Sequence, residues 1–523
     1  MIFTISVHLR SSAVTLFFLF ASASPAQQWT IYGGNAASQR YSPLSQITAA
    51  NVDRLSVNWV FQPGVAGHYE ATPLYEDGIL YFTAPAGHAY AVDARTGRSL
   101  WHYHRAIPEK QGMCCGPVNR GLALAGERLF LVTIDAHVLA LDKKTGRLVW
   151  DTEMADYKLG YSATVAPLLV KDKIVVGIAG ADMGTRGFID ADSIENGKRA
   201  WRFWTIPAPG EPGAETWTGE AWSRGGGSAW VTGSFDSELN LVFWGIGNPG
   251  PDLNGDVRPG DNLYSDCMVA LDADTGKLKW YYQFTPHDTH DWDGVNEPIL
   301  ADLTINGVSR KILLHADRNG FLYGIDRVEG RVIWGRPFVK TTWAEKLDSN
   351  GRPIVKPGTD PTQEGVEACP GLGGGKNWNH AAFNPLTGLV YVPSSEECEK
   401  FYSGDAPHQQ GRLWMGSLNE SIPTMKPWGA LRAFDARDGK LVWEFKTIRP
   451  HRGSVLTTAG DLVFAGDGQG YLTAFHARTG AVLWKFQSGA GISAPAMTYE
   501  LEGRQYIAVI AGTALFTFVL PPM

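Results

Sequence analysis

The chain of 523 residues is poor in charge, and neither sign dominates. Charged side chains form 19% of it, below the roughly 25% of an average protein, and the formal net charge is -7. Because positive charge is not in excess, nothing favours nucleic acid or an anionic membrane surface as a partner. Disorder is excluded as well, since 44% of the residues are hydrophobic and 11% are aromatic. We expect a packed globular protein.

Three cofactor signatures are missing from the sequence. It contains no Cys-x-x-Cys-His, which excludes a covalently attached c-type haem. It contains no Gly-x-x-x-x-Gly-Lys-Ser/Thr, the loop that holds nucleotide phosphates. No segment of any length has the spacing of an amphipathic helix, so the strand-turn-helix unit that binds nicotinamide or flavin is not expected either.

Long apolar runs are also scarce. The longest extends from Ala13 to about Ala23, roughly a dozen residues, against the ~20 needed to span a bilayer. Arg10 precedes it and the small residues 24–26 follow it, which is the pattern of a secretory signal peptide. We therefore predict a signal peptide over residues 1–26, cleaved after Ala26, and a periplasmic protein without a transmembrane anchor. An uncleaved anchor is the alternative.

The sequence is rich in glycine, with 60 residues, and in tryptophan, with 19. Many of these belong to one repeat, in which a short apolar strand runs into Asp, a Thr-Gly or similar turn follows, and Trp comes four residues after the glycine. Copies, one of them stretched and one with His476 in place of Asp, occur at Gly97 and Trp101, Gly146 and Trp150, Gly197 and Trp201, Gly276 and Trp280, Gly330 and Trp334, Gly439 and Trp443, and Gly480 and Trp484. A degenerate copy runs from Asn384 through Gly388 to Tyr391, which makes eight units.

The repeat has a physical cause. Asp hydrogen-bonds the backbone of a tight turn, glycine takes the positive φ that the turn needs, and the next strand carries a large aromatic side chain inward. Units of roughly 40–50 residues match a four-stranded propeller blade whose tryptophan packs between neighbours. We predict an all-β, eight-bladed β-propeller with blade-docking tryptophans, forming one domain over residues 27–523. A row of unrelated hairpins is the alternative.

Five cysteines are present, two of them adjacent. In an oxidising compartment Cys114 and Cys115 can close only a strained eight-membered ring, which its surroundings would have to hold. Separate buried thiols, or pairing with other cysteines, are equally compatible with the sequence. Cys369 and Cys398 could clip together the insertion between them, which would leave Cys267 unpaired.

A short stretch after Trp280 concentrates titratable side chains. Residues 285–294 read Thr-Pro-His-Asp-Thr-His-Asp-Trp-Asp-Gly. Its acids suit a carboxylate base beside a hard, calcium-like ion, because such ions prefer carboxylate oxygens. Asp182 and Asn248 offer further oxygen ligands elsewhere in the chain. The alternative is a solvated loop whose acids cap turns.

The repeated turns, the adjacent cysteines and the Asp-Trp-Asp loop together resemble the pyrroloquinoline-quinone (PQQ) dependent alcohol dehydrogenases, a family of exported eight-bladed propellers. The resemblance extends from Trp29 to the last blade and so covers nearly the whole mature chain. Its most specific motifs are Cys114-Cys115 with Asn119-Arg120-Gly121, Gly247-Asn248-Pro249 with Arg258-Pro259-Gly260-Asp261-Asn262, and His315-Ala316-Asp317-Arg318-Asn319-Gly320.

The resemblance implies a set of cofactor contacts. Glu70 and Arg120 match residues that hold the carboxylates and ring substituents of PQQ. One face of the quinone is expected to stack on an indole and the other to be covered by a vicinal disulfide. Arg318 matches the side chain that reaches the reactive quinone oxygens. The complete set of implied cofactor contacts is Glu70, Cys114, Cys115, Arg120, Trp230, Arg318 and Asn377.

The resemblance also implies a metal site and a catalytic base. Asp182, Asn248 and Asp291 match the metal ligands, and Asp291 also matches the base. Asp182 stands where the family usually has Glu, so its carboxylate is one methylene shorter. Asp293 adds a carboxylate that resembles the lanthanide-dependent members, and we include it as a candidate ligand. The ion is expected to be either Ca²⁺ or a lanthanide.

The function that follows from this resemblance is the oxidation of alcohols, small primary alcohols first, to aldehydes or ketones. The metal activates the quinone as hydride acceptor while Asp291 takes the hydroxyl proton. Electrons are expected to leave to a separate acceptor such as a periplasmic cytochrome c. His451-Arg452-Gly453 stands where the family leads us to expect an aromatic contact. The alternative function is that of a non-enzymatic periplasmic propeller that scaffolds outer-membrane assembly.

Overall fold

The computed structural model of the chain describes residues 27–108, 111, 113–405 and 407–522. The predicted signal peptide, residues 1–26, lies outside the described residues, so its cleavage stays a prediction. The described residues form strands joined by turns and loops, with five short 3-10 helices and no α-helix among them. These 3-10 helices are Val52–Arg54, Tyr157–Leu159, Ala181–Met183, Ala214–Thr216 and Ala221–Arg224.

Most strands of the described residues belong to eight sheets, which we number in chain order. The strands of sheets 1 to 4 are Leu74–Glu76, Ile79–Ala84, His88–Asp93 and Ser99–His104; Ala123–Ala125, Arg128–Thr133, His137–Asp142 and Leu148–Glu153; Leu168–Val170, Lys173–Gly177, Phe188–Ser193 and Arg199–Trp204; and Ser234–Asp236, Leu241–Gly245, Cys267–Asp272 and Leu278–Gln283. The strands of sheets 5 to 8 are Ile299–Ile305, Val308–Ala316, Phe321–Asp326 and Val332–Pro337; Ala382–Asn384, Leu389–Glu396, Trp428–Asp435 and Leu441–Thr447; Val455–Thr458, Leu462–Gly466, Tyr471–His476 and Val482–Gln487; and Met497–Leu501, Arg504–Ala511, Ala514–Val519 and Ser56–Phe61.

Two pairings join the beginning of the chain to its end. Ser56–Phe61 pairs antiparallel with Ala514–Val519 and completes sheet 8. Tyr41–Ser42 pairs parallel with Val455–Thr458 and gives sheet 7 a fifth strand. Smaller sheets are formed by Ala344–Leu347 with Pro353–Val355, and by Val366–Ala368, Glu399–Phe401 and Asn419–Ser421.

Burial differs systematically between inner and outer strands of a sheet. Leu129, Phe130, Leu131 and Val132 follow one another in the second strand of sheet 2, and all four are buried. A strand that is covered on both faces needs such an uninterrupted apolar run. The fourth strand, Leu148–Glu153, instead alternates exposed and partly buried residues. The core therefore lies between neighbouring sheets, and the outer strands face solvent.

The repeated tryptophans lie between successive sheets. Seven of these indoles, Trp59 among them, pack on the turn glycine of the next sheet, as Trp201 does on Gly276, whereas Trp484 packs on no turn glycine of the described residues. Most of the indole N–H groups also donate to a backbone carbonyl of the next sheet or of the segment that leads into it. These bonds join Trp59 to Ala94, Trp101 to Lys143, Trp150 to Ile194, Trp201 to Ala273, Trp280 to Arg327, Trp443 to Ala477 and Trp484 to Leu55.

The prediction is wrong about one of the eight sequence units. The degenerate copy from Asn384 to Tyr391 joins the first two strands of sheet 6, the sheet that already contains the Gly439 turn and Trp443. The sheet that the repeat misses is sheet 8, whose outer strand comes from the other end of the chain and carries Trp59. Trp59 follows no glycine turn, so the pattern could not identify it.

The predicted fold class is confirmed: the described part of the chain is an all-β propeller. Its sheets are antiparallel apart from the added strand Tyr41–Ser42. Within the described residues, no helix combines the length and the apolar character needed to span a membrane.

Two glycines with the same backbone angle test the packing of tryptophan on glycine. Gly276 and Gly388 have φ of +69° and +70°. A β-carbon added to Gly276 would lie 2.5 Å from Trp201 Cε3, whereas one added to Gly388 would meet nothing within 4 Å. Both Gly→Ala variants lose about 1 kcal/mol to the left-handed backbone. We expect Gly276→Ala to lose roughly 1–3 kcal/mol more, because the indole has to move.

Thermal unfolding of the two variants and the wild type checks this expectation. Gly276→Ala should have the lower melting temperature of the two variants. Equal melting temperatures would contradict a packing role for the glycine beside the tryptophan.

Candidate active site and metal centre

The candidate site residues lie around one cavity of about 660 Å³. They belong to segments that precede the first strand of a sheet or follow its second strand. Arg120 precedes the first strand of sheet 2, Asn248 follows the second strand of sheet 4, and Arg318 follows the second strand of sheet 5. In an antiparallel hairpin these two positions share one end, so several sheets contribute to the same cavity. The cavity is lined by all of the predicted site residues: Glu70, Cys114, Cys115, Arg120, Asp182, Trp230, Asn248, Asp291, Asp293, Arg318 and Asn377.

Three carboxylates meet in this cavity. Asp182, Asp252 and Asp291 each present an oxygen, and these atoms lie within 4.8 Å of one another. The sequence analysis predicted Asp182 and Asp291 but missed Asp252. The available signal was its position, four residues after Asn248 and between the two parts of the motif that contains Asn248. Asn248 Nδ2 donates to Asp252 Oδ1 at 2.7 Å, which links the two residues directly.

Asp182 lies in the 3-10 helix Ala181–Met183. Ser228 accepts the Ala181 backbone N–H at 2.8 Å, and the Asp182 carbonyl accepts the Trp414 backbone N–H at 2.6 Å. The carboxylate itself makes no hydrogen bond or ion pair to another described residue. Loss of hydration in the cavity, followed by the negative charge of Asp293, raises the pKa of Asp182 to about 6.

Asp291 is presented by a tight loop held by a buried carboxylate. Asp288, 1% exposed, accepts the backbone N–H of His290 at 3.0 Å and that of Trp292 at 2.9 Å. Between them Asp291 has φ of +60°, a backbone conformation that a non-glycine residue rarely adopts. Trp292 is fully buried and donates to the Gly371 carbonyl at 3.0 Å. The loop therefore fixes the direction of the Asp291 side chain from both sides.

Arg318 joins the two carboxylates of this loop. Its guanidinium contacts Asp291 Oδ2 at 3.3 Å, forms a close ion pair with Asp293, and donates to the Leu372 carbonyl at 2.5 Å. Loss of hydration and the neighbouring carboxylates raise the pKa of Asp291, while Arg318 lowers it. Asp291 and Asp293 in turn hold the pKa of Arg318 above its ordinary value despite burial.

Asp293 is bound on several sides. In addition to Arg318, it accepts the Asn248 backbone N–H at 3.1 Å and the Trp230 indole N–H at 3.3 Å. It borders the three-carboxylate group but is not one of its members. Its assignment as a metal ligand stays a prediction.

Another part of the cavity wall combines charge with an aromatic surface. Arg120 forms an ion pair with Glu70 at 2.7 Å and donates to Thr164 Oγ1 at 2.6 Å. Its guanidinium lies 4.6 Å from the centre of the Trp230 ring. Asn377 donates to the Gly373 carbonyl at 3.2 Å and accepts the Trp378 N–H at 2.8 Å, so local bonds hold its amide at the cavity wall.

The structure decides the cysteine pairing that the sequence left open. Cys114 and Cys115 form a vicinal disulfide that lines the cavity. Cys369 and Cys398 form a second disulfide, one of the pairings that the sequence allowed, and Cys267 is free and buried. The second bridge clips the segment whose carbonyls accept Trp292 and Arg318. His451 is buried, and Arg452 lines the cavity with its guanidinium 3.5 Å from Glu397.

The chain matches the model of the PQQ family described as glucose/ethanol/alcohol dehydrogenase, beta-propeller domain, over residues 29–339 and 446–507. It is 41% identical over 514 residues to the quinoprotein alcohol dehydrogenase PedH of Pseudomonas putida, with 93% of this chain and 86% of that protein covered. It is 38% identical over 520 residues to the lanthanide-dependent methanol dehydrogenase of Methylacidiphilum fumariolicum, with 93% and 84% covered.

A solved structure shows the same similarity. The crystal structure of the quinohemoprotein alcohol dehydrogenase from Comamonas testosteroni superposes with a TM-score of 0.91 at 35% sequence identity, and the match covers 96% of this chain and 83% of that one. The chain therefore belongs to the PQQ-dependent dehydrogenase family, as its sequence motifs predicted.

The environment of Asp182 has a measurable consequence for the metal-free protein. A carboxyl group with a pKa of 3.8 when unfolded and about 6 when folded binds more protons in the folded state. Its ionisation therefore destabilises the fold increasingly as the pH rises between these values. Asp182→Asn cannot ionise, so we expect it to be more stable than the wild type above pH 6, by up to about 3 kcal/mol, with the difference falling to about 0.5 kcal/mol at pH 4.

Melting temperatures of both metal-free proteins between pH 4 and 7.5 measure this effect. Asp256→Asn removes an exposed carboxylate and is the matched control, expected to follow the wild type. A stability difference for Asp182→Asn that does not change with pH would contradict the expectation.

Proposed function

We propose that this protein oxidises alcohols to aldehydes or ketones with PQQ and one Ca²⁺ or lanthanide ion as its cofactors. One observation carries the proposal: in a chain of the PQQ-dependent dehydrogenase family, the Asp291 carboxylate lies in one cavity with Asp182, Asp252 and Arg318. A base and a set of hard oxygen ligands are thus side by side.

The residues of the cavity suit both cofactors. Carboxylate and amide oxygens are the ligands that a hard cation takes, and Asp182, Asn248 and Asp291 would hold it. The Nε atoms of Arg120 and Arg318 are buried and find no hydrogen-bond partner among the described residues. Both arginines line the cavity, where they would hold the carboxylates and carbonyl oxygens of PQQ. Trp230 and the Cys114–Cys115 bridge line the same cavity and would cover the two faces of a flat ring.

Asp291 is the base of the proposed reaction. Arg318 contacts only its Oδ2, and within the described residues no hydrogen bond to Oδ1 is found. That free oxygen would accept the hydroxyl proton of the alcohol. The bound cofactors supply the hydride acceptor and the Lewis acid that activates it. Asp288 keeps the base in place through the two backbone N–H groups that it accepts.

Arg318 and the cavity walls complete the role of the protein. Arg318 holds Asp291 and Asp293 at fixed positions, so that little reorganisation is needed when a proton moves. Leu372, Leu413 and Met415 line the cavity and supply apolar surface for the carbon chain of a small primary alcohol. We propose that electrons then leave to a periplasmic cytochrome c or a similar separate acceptor, after export directed by residues 1–26.

We further propose that the eight sheets are eight blades of one domain, residues 27–523, docked by their tryptophans. The indole bonds between successive sheets support this arrangement. The scaffold function is not favoured, because relatives that match over nearly the whole chain are dehydrogenases. A scaffold also has no need of a base beside grouped carboxylates.

Dye reduction tests the function directly. Metal-free protein is loaded with PQQ and either Ca²⁺ or La³⁺, and a redox dye is added with a small primary alcohol such as ethanol. We expect dye reduction with at least one ion and none without PQQ. Absence of dye reduction with both ions, in protein that has bound PQQ, would refute alcohol oxidation. Activity with Ca²⁺ alone would exclude the lanthanide alternative.

Removing the base should separate catalysis from cofactor binding. Asp291→Asn keeps the shape of the side chain but cannot accept the proton, so we expect turnover to fall by about 10²-fold or more. PQQ binding, followed by quenching of tryptophan fluorescence, should persist. Asp256→Asn, an exposed change in a nearby loop, is the control and should keep wild-type turnover. Unchanged turnover in Asp291→Asn would show that another group is the base.

A further inference from the structure

Asp252 is a buried carboxylate of the cavity to which the proposed reaction assigns no step. We propose that Asp252 is a ligand of the metal ion and that its negative charge makes the site selective for a trivalent lanthanide over Ca²⁺. This inference rests on the proposed function, because it concerns the ion that activates the cofactor.

The position of Asp252 is that of a ligand. It is 1% exposed, lines the cavity, and presents an oxygen within 4.8 Å of oxygens from Asp182 and Asp291. These three residues come from separate segments of the chain, so their convergence is a product of the fold and not of sequence proximity. Carboxylates brought this close without a cation repel one another strongly.

The neighbouring amide gives independent evidence of a ligand. Asn248 is 1% exposed, and its Nδ2 donates to Asp252 Oδ1 at 2.7 Å. This bond fixes the orientation of the amide, because only the NH₂ group can face a carboxylate. The amide oxygen consequently faces away from Asp252, and it finds no hydrogen-bond partner among the described residues. Asn248 therefore ties Asp252 into the site and keeps an oxygen of its own for a cation.

The charges in the cavity indicate the valence of that cation. Asp182, Asp252, Asp291 and Asp293 carry four negative charges when ionised, and Arg318 is paired closely with Asp293. Arg318 also contacts Asp291, and its single positive charge leaves this group with three net negative charges, while the oxygens of Asp182, Asp252 and Asp291 converge. Within this group a trivalent ion offsets more of the negative charge than Ca²⁺ does.

Direct metal binding tests the proposal without using turnover. The full mature chain, loaded with PQQ, is titrated with Tb³⁺ and separately with Ca²⁺ in equilibrium dialysis, and the bound metal is measured by mass spectrometry. We expect Asp252→Asn, which keeps the shape and removes the charge, to weaken Tb³⁺ binding by about tenfold or more and Ca²⁺ binding by less. Asp256→Asn, with its carboxylate exposed in the same loop, should bind both ions like the wild type.

A second variant distinguishes loss of a ligand from misfolding. Asp252→Glu restores the charge and should recover Tb³⁺ binding relative to Asp252→Asn. Both variants should unfold cooperatively in the metal-free state. Unchanged Tb³⁺ affinity in Asp252→Asn would overturn the role of Asp252 as a ligand, while dye reduction by the wild type would leave the proposed function standing. Equal losses for both ions would overturn the selectivity. Failure of the wild type to bind either ion would refute the metal site and the proposed function together.

Discussion

Several carboxylates with low exposure in one cavity repel one another, and the arrangement of the site depends on how that repulsion is balanced. Arg318 neutralises part of it by contacting Asp291 and Asp293 at once. Its third bond goes to a carbonyl in the segment clipped by the Cys369–Cys398 bridge, which fixes the guanidinium from the other side. The remaining carboxylates converge around a common point, and a hard cation is the natural partner for them.

This balance requires residues from several sheets. Arg120 precedes the first strand of sheet 2, while Asn248 and Arg318 follow the second strands of sheets 4 and 5. No single sheet therefore contains the site. Pairing of Ser56–Phe61 with Ala514–Val519 joins the two ends of the chain. Tryptophan indoles contact the turn glycines of successive sheets. Residues far apart in sequence can then keep distances of a few ångströms within the cavity.

Much of the fold was predictable because the Asp-Gly-Trp turn is a local pattern. Glycine with positive φ and a tryptophan four residues later are properties of a few neighbouring residues, and the pattern located the turns of seven sheets. It failed for Trp59, whose strand joins a sheet made by the opposite end of the chain. It also counted the turn at Gly388 as a separate unit. That turn joins the first two strands of sheet 6, and its sequence resembles that of the turns between the third and fourth strands.

For the site, the sequence by itself determined which chemical groups are available: the acids of the Asp-Trp-Asp loop, the adjacent cysteines, Arg120, Arg318 and Asn248. All of the residues predicted for the site line one cavity. Tertiary structure alone decided which of these groups meet. Asp252 lies beside Asp182 and Asp291. Asp293 instead forms an ion pair with Arg318 and accepts hydrogen bonds from Asn248 and Trp230. The physical reason is that charge balance among buried groups depends on distances across several sheets, and sequence spacing does not report those distances.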